Sequence, residues 1–266
     1  MSQMTPADSV APPRADRWAV GTYAALLAVA AFAWFEVVRS ASAMHDMAGM
    51  GMVMAPTLSS LAAFVAAWTV MMAAMMVPSA APMIALYAAT RRNAPGPLAR
   101  LGAAVSFALV YVALWAATGI PIYFADLRLM AVTGDVLAYG TAAILVVAGV
   151  FQLSPLKQVC LRNCRSPLGF LLGHWRPGWR GSLSMGWSHA VYCLGCCWAL
   201  MVVLFAAGAM GIAWVLLVSA VVAAEKLLPH GARIARVAGV ILIVVGLAVA
   251  VWPELALIVR GRFPTT

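Results

Sequence analysis

Charged residues are scarce in this sequence, and acidic residues are the scarcest. Only 9% of the 266 residues are charged, with 8 Asp and Glu against 17 Lys and Arg, whereas 65% are hydrophobic. The mean hydropathy is +0.97. A soluble domain carries far more polar surface than this. The composition therefore excludes an ordinary soluble protein and favours a polytopic membrane protein.

Several motifs of cofactor binding are also missing. The sequence contains no P-loop, no Rossmann fingerprint and no C-x-x-C-H motif, which disfavours ATP-driven pumping and covalently bound haem. The period-two alternation of membrane β-strands is absent as well. A bundle of α-helices is the fold that remains.

Apolar runs of about 20 residues are frequent, and each is long enough to span a bilayer as a helix. They lie at about 18–38, 57–77, 98–120, 134–153, 184–207, 209–228 and 234–252. We predict an all-α, polytopic transmembrane helical bundle of about seven spans, forming one domain over 18–253. A disordered cytoplasmic tail is expected at 1–17, and an external tail at 254–266.

Basic residues are distributed unevenly between the predicted loops. With the N-terminus inside, thirteen Lys and Arg fall in cytoplasmic segments and four fall outside. This asymmetry predicts an internal N-terminus and an external C-terminus. The net charge of +9 is therefore interpreted as a topology signal with anionic-lipid contact, and no nucleic-acid partner is expected. We expect a multi-pass protein of the bacterial inner (cytoplasmic) membrane.

The predicted external loop 39–56 contains the sequence MHDMAGMGMVM at 44–54. Thioether sulfur is a soft ligand that suits Cu(I), and imidazole suits either oxidation state of copper. The predicted ligands of this loop are Met44, His45, Met47 and Met50, with Met52 and Met54 beside them. The alternative is an interfacial segment whose methionines make adaptable apolar contacts.

A second methionine cluster lies in the run 57–77, where Met72 and Met76 share one helix face. Pro78 and Pro82 follow, and each removes a backbone donor, so a kink or break is expected there. Broken helices often flank binding sites in membrane proteins. The alternative is a kinked helix in which methionine fills space.

The run SLSMGWSHAVYCLGCCWALM has the strongest metal-ligand composition in the chain. His189 and Cys193 are one turn apart, and either Cys196 or Cys197 lies together with them on one side of the helix. Imidazole and thiolate together suit Cu(I), zinc or iron. The alternative is that the cysteines are small buried hydrophobes and that His189 hydrogen-bonds a neighbouring helix.

Two further features are weaker candidates. Glu225 is the one acidic residue well inside its apolar run, so it is either a functional group or a partner of Lys226. The predicted cytoplasmic loop 154–182 contains Cys160-x3-Cys164, a poor zinc motif flanked by arginines. A reduced pair on an amphipathic interfacial segment is the expectation for this loop.

These motifs carry a family resemblance. The stretches MMAAMMVPSAAPMIALYA, FQLSPLKQVCLRNCRSPLGFLL, HAVYCLGCCWALM and EKLLP resemble an uncharacterised bacterial family of predicted metal-binding integral membrane proteins. The match covers roughly residues 57–230. It implies a polytopic, metal-binding protein and supplies no catalytic residues.

The sequence thus predicts a membrane protein that handles copper, captured outside at Met44–Met54 and passed to a membrane-embedded site. The predicted embedded ligands are Met72, Met76, His189, Cys193, Cys196 and Cys197, with Glu225 in reach. Cu(I) is the favoured ion, with zinc or iron as alternatives. Expected partners are the metal ion, the lipid bilayer and a membrane or periplasmic protein. A membrane metallo-oxidoreductase and a metal-free assembly subunit are the other functions left open.

Overall fold

The computed structural model describes residues 17–49, 57–91, 96–129, 134–207 and 211–260, with the side chains of 41–49 and 129 left out of the description. Ten helices form the described part: α1 Arg17–Gly49, α2 Leu58–Thr90, α3 Pro97–Leu129, α4 Gly134–Leu153, α5 Pro155–Arg165, α6 Pro167–His174, α7 Gly178–Ala206, α8 Ile212–Leu227, α9 Gly231–Val251 and α10 Leu255–Val259. The described residues contain no strand. The predicted all-α bundle is confirmed.

Six helices of the described chain are long and apolar enough to cross a membrane. They are α1 as far as Ser40, α2, α3, α4, α7 and α9. The remaining predicted span, 209–228, corresponds to α8, which has 16 residues. At 1.5 Å per residue α8 reaches about 24 Å, less than the ~30 Å hydrocarbon core of a bilayer.

The first helix is longer than the sequence pattern indicated. A loop was expected from residue 39, but the backbone is helical to Gly49, since alanine and methionine are strong helix formers. Met44, His45 and Met47 therefore lie on α1, with side chains outside the description. Met50, Met52 and Met54 lie outside the described residues altogether, as does the predicted tail before Arg17.

The prolines of α2 do not break it. The helix runs without interruption from Leu58 to Thr90 through Pro78 and Pro82, and a Thr57–Ser60 capping box closes its start. An internal proline costs about 3 kcal/mol. Extensive burial of α2 against α1 and α3 offsets that cost, because most side chains from Met71 to Ala88 are buried.

The expected interfacial loop 154–182 contains two short helices and the start of α7. Ser154 and Ser166 cap α5 and α6, and a proline occupies the first position of each helix, the arrangement that starts helices most readily. One face of α5 is buried through Lys157, Leu161 and Cys164, at helical spacing. The segment therefore turns inward on one side, where a purely interfacial position was expected.

Helix α7 is the centre of the bundle, and it packs against α3, α4 and α5. Helix α4 also packs closely against α9, and the backbones of these two helices are in contact. A Cβ added at Gly149 would lie 2.6 Å from the carbonyl oxygen of Gly239, so no other residue fits without separating the two helices. Within the expected tail 254–266, Leu255–Val259 forms the short helix α10, whose Ala256 is buried, and the residues after Arg260 lie outside the described part.

Candidate metal centre

Four thiols meet in the interior of the bundle and are called the cysteine cluster: Cys164, Cys193, Cys196 and Cys197. Three of them lie on α7 at spacings of three and four residues, which places them on one helix face. All three are at most 1% exposed. The sulfur of Cys196 lies 3.4 Å from that of Cys197. The sequence predicted that Cys193 lies together with either Cys196 or Cys197, and the structure buries all three on this helix.

The fourth thiol comes from α5. The sulfur of Cys164 lies 3.7 Å from the sulfur of Cys196. Close approach of α5 to α7 depends on Gly195, where an added Cβ would lie 2.8 Å from the sulfur of Cys160. Cys160 itself is only partly buried and packs outside the cluster. All five cysteines are free thiols, so no disulfide has formed among them.

The thiols of α5 hold their protons tightly. The pKa of Cys164 is raised well above its ordinary value, chiefly by hydrogen bonding to Cys193, with burial adding to the rise. Burial also raises the pKa of Cys160, and nearby Lys157 opposes that rise. A metal ion bound by Cys164 would therefore have to displace a proton.

A lysine ammonium group reaches into the same space. Lys226 of α8 places Nζ 3.0 Å from the sulfur of Cys193, 3.3 Å from Oγ of Ser79 and 3.8 Å from Sδ of Met76. Lys226 is 6% exposed. A buried cation is costly unless it is paired, so these contacts are what allow the lysine to remain in the interior.

A tyrosine closes the cluster from α3. Oη of Tyr111 lies 3.0 Å from the sulfur of Cys193, and it also donates a long hydrogen bond of 3.5 Å to the carbonyl oxygen of Met76. Cys193 thus has both Lys226 and Tyr111 within hydrogen-bonding distance.

His189 lies one turn before Cys193 and is 2% exposed. Its ring stacks on Tyr111, with centroids 5.6 Å apart, and meets Phe170 edge-on at 5.4 Å. Nδ1 of His189 is buried and has no hydrogen-bond partner within the described chain. A buried nitrogen is rarely left without a partner, and a metal ion is one group that would satisfy it.

Glu225 has a different role from the one the sequence indicated. Its carboxylate accepts hydrogen bonds from Nζ of Lys157 at 2.6 Å and from Nε2 of Gln152 at 2.8 Å, not from Lys226. Lys157 also donates to the carbonyl oxygen of Cys196 at 2.5 Å. Glu225 is therefore a buried ion-pair partner that ties α4, α5 and α8 to the main chain of α7, and both of its oxygens are already used.

The structure describes the side chains of the predicted embedded methionines but not those of the external ones. Met76 is fully buried and its sulfur borders the cluster through Lys226. Met72 is buried in the same hydrophobic core. The external ligands Met44, His45, Met47 and Met50 fall outside the described side chains, so they stay a prediction.

The donor set is soft, which decides which ion it fits. No three His, Cys, Asp or Glu side chains in the described residues are arranged as a ready-made metal site. Three sulfurs each about 2.3 Å from one ion would be about 4 Å apart. The separations of 3.4 and 3.7 Å are a few tenths shorter, so a modest spreading of the thiols would admit an ion. Thiolate and thioether donors favour Cu(I).

Sequence reasoning missed three groups at this centre: Cys164, Tyr111 and Lys226. Cys164 was assigned to an interfacial loop. The available signal was that Lys157, Leu161 and Cys164 are spaced four and three residues apart, which places them on one helix face. Lys226 was considered only as a partner of Glu225. Tyr111 carries no local signal, since an aromatic residue in an apolar run looks like any other core position.

Comparison with family models gives a match over most of the chain. The family model PpoB2, described as a copper chaperone, matches residues 65–249. That range includes every residue of the cysteine cluster and its Lys226, Tyr111 and Met76 neighbours. No curated protein and no solved structure matches the chain significantly. The metal-binding part of the sequence resemblance is confirmed in this form.

Proposed function

The chain belongs to the PpoB2 copper chaperone family, and from that premise we propose that it carries Cu(I) through a bilayer at the cysteine cluster and delivers it to a partner protein. The observation that carries the proposal is the closure of four free, buried thiols from α5 and α7 into one cluster. The copper is cargo, held by sulfur and released again.

Soft donors explain why this cluster suits copper in transit. Thiolates bind Cu(I) in preference to hard ions such as Mg²⁺. The sulfur of Met76 borders the cluster through Lys226, and Nδ1 of His189, one turn before Cys193, has no hydrogen-bond partner within the described chain, so these two groups are the proposed additional donors. Cys193, Cys196 and Cys197 are the proposed primary ligands, with Cys164 completing the set from α5.

The setting supports a membrane location. Six described helices have the length and hydropathy of membrane spans, and many of their large apolar side chains face outward. We place the protein in the bacterial inner membrane with an internal N-terminus, on the basis of the basic residues in its predicted cytoplasmic segments. In that orientation Met44–Met54 lies outside and is the proposed capture segment.

Delivery from the cluster requires that copper leave a buried position. The cluster is walled on one side by α5, which is 11 residues long, whereas its other walls are membrane-length helices and α8. The short helix has three buried residues, against five on α8. We propose that copper exchanges past α5.

Copper titration of the full-length chain tests the proposal. The protein is purified in mild detergent, loaded with Cu(I) under reductant, and titrated with a chromophoric Cu(I) chelator. We expect stoichiometric tight binding by the wild type, none by the C193S/C196S/C197S variant, and about tenfold weaker binding by C164S, because a hydroxyl is a poor ligand for a soft ion.

The matched control is Cys160→Ser, which removes a thiol of the same short helix outside the cluster. It should bind copper like the wild type. X-ray absorption gives the direct reading, with sulfur scatterers near the ~2.3 Å typical of metal–thiolate bonds. Full copper content and unchanged scattering in the triple variant would show that these cysteines are packing residues and would overturn the proposal.

A further inference from the structure

A second polar site lies where the end of α5, the junction with α6 and the start of α9 line an open cavity of about 330 Å³, and none of the cluster's cysteines lines it. Its lining is formed by Gln158, Leu161, Arg162, Arg165, Ser166 and Ala232. Two of these six side chains are guanidinium groups and none is acidic. The copper proposal makes no use of this cavity.

The cavity presents hydrogen-bond donors in excess of acceptors. Arg165 donates through Nη2 to the carbonyl oxygens of Leu228 and Pro229, at 2.6 and 2.7 Å, which fixes its guanidinium group at the α8–α9 turn. Its remaining N–H groups are left for another acceptor. Within the described chain neither Arg162 nor Arg165 forms a salt bridge with a carboxylate.

Gln158 provides an independent indication of a ligand. Its Nε2 is buried and has no hydrogen-bond partner within the described residues. A buried amide donor without a partner is costly and calls for an acceptor. An amide N–H₂ and two guanidinium groups around one cavity match the oxygen atoms of a phosphate group, which arginine binds in bidentate fashion.

The surroundings indicate where the phosphate comes from. On the same two short helices, Leu168 and Leu172 of α6 are 61% and 77% exposed, and Val159 of α5 is 49% exposed. Large apolar side chains next to a basic cavity are typical of a surface that lies in the lipid headgroup region. A soluble phosphate would leave these apolar side chains exposed, whereas the acyl chains of a lipid would cover them.

We propose that this cavity binds the phosphate of an anionic phospholipid headgroup. The inference rests on the proposed membrane insertion and is independent of copper binding. A bound headgroup would hold α5 against the α8–α9 turn through Arg162 and Arg165. The adjoining face of α5 carries Cys164, so the lipid would stabilise the position from which that thiol reaches the cysteine cluster.

Lipid titration of the copper-free, full-length chain in a neutral detergent tests this site. The probes are phosphatidylglycerol, phosphatidylcholine and inorganic phosphate, with bound lipid counted by native mass spectrometry and the unfolding midpoint followed by tryptophan fluorescence. We expect phosphatidylglycerol to bind and raise the midpoint, phosphatidylcholine to do so weakly, and inorganic phosphate at the same concentration to have little effect.

Variants locate the effect in the cavity. R162Q/R165Q should weaken phosphatidylglycerol binding about tenfold, as expected for the loss of two charge-assisted hydrogen-bonding groups. R176Q/R180Q removes the same charge from the same stretch of chain outside the cavity, and it should bind like the wild type. Q158A changes no charge and should weaken binding severalfold, which guards against misfolding of the double arginine variant.

Two results would overturn the inference. Equal loss of lipid in R162Q/R165Q and R176Q/R180Q would show that only the overall charge matters. A response to inorganic phosphate without one to phosphatidylglycerol would assign the cavity to a soluble phosphate and overturn the lipid source. Because copper is absent from these measurements, failure here leaves the copper proposal to be judged by its own titration.

Discussion

The ammonium nitrogen of Lys226 and the sulfur of Cys193 lie 3.0 Å apart in the interior of the bundle. The same nitrogen is within 3.8 Å of the sulfur of Met76. A cation therefore already occupies space between two soft donors. Entry of Cu(I) at Cys193 requires the ammonium group to withdraw, since two positive charges at such a distance repel each other.

Replacement of Lys226 by methionine should make copper leave more slowly. The variant keeps a long apolar side chain but removes the charge that competes for Cys193, so we expect transfer to a chromophoric chelator to slow about tenfold. Stopped-flow absorbance of the chelator complex measures the rate. Lys226→Arg, which keeps the charge, is the control and should remain close to the wild type. Loss of copper from the methionine variant would instead show that Lys226 supports the metal-bound form.

The buried pair Lys157–Glu225 should be sensitive to single changes and tolerant of a double change. Removing one member of a buried ion pair leaves the other uncompensated and costs about 3–5 kcal/mol. Glu225→Gln and Lys157→Met should each lower the thermal unfolding midpoint in detergent strongly. The double variant K157M/E225L should recover much of that loss. Arg39→Met, which breaks the exposed pair with Glu36, should change the midpoint little.

The external methionines are tested by a change that keeps their volume. Leucine at 44, 47, 50, 52 and 54 removes sulfur while preserving apolar bulk. If the segment captures copper, cellular copper loading at low external concentration should fall while expression stays constant. Titration of the purified variant should still find the embedded site intact. Unchanged loading would identify the segment as a packing or interfacial element.

The membrane orientation predicts a pair of reporter results. Alkaline phosphatase fused after Met54 should be active, because that position is expected outside. The same reporter fused after Arg165 should be silent, because α5 is expected on the cytoplasmic side. The opposite pattern at both positions would reverse the orientation and remove the external capture segment.

Periodicity predicted much of this fold and part of its centre. The spacing predicted that His189, Cys193 and one of Cys196 and Cys197 share a face of α7, because helical geometry is local, and the structure buries all four. Contacts between residues far apart in the sequence could not be predicted from spacing. Nothing in the spacing from Cys160 to Cys164 indicates that α5 turns one thiol toward α7, and nothing near Glu225 indicates that its partner is Lys157, 68 residues away.

The boundaries failed for a related reason. Counting apolar residues places the end of a span where polar and small residues begin, and it placed the end of the first span just before residue 39. Helix propensity depends instead on the free energy of each residue in a helical conformation. Alanine and methionine are favourable in a helix, and α1 continues to Gly49. The same distinction accounts for Pro78 and Pro82, whose local cost is outweighed by burial that only the assembled bundle provides.

The backbone contact between Gly149 and Gly239 also bears on how the chain is assembled. Synthesis proceeds from the N-terminus, so α4 leaves the ribosome about ninety residues before its closest neighbour. Until α9 arrives, the small-residue face of α4 is open to lipid or to other newly made helices. Completion of the bundle thus waits for the last long helix, and a chain that stops before Gly231 would present a vacant groove to the cell's quality-control proteases.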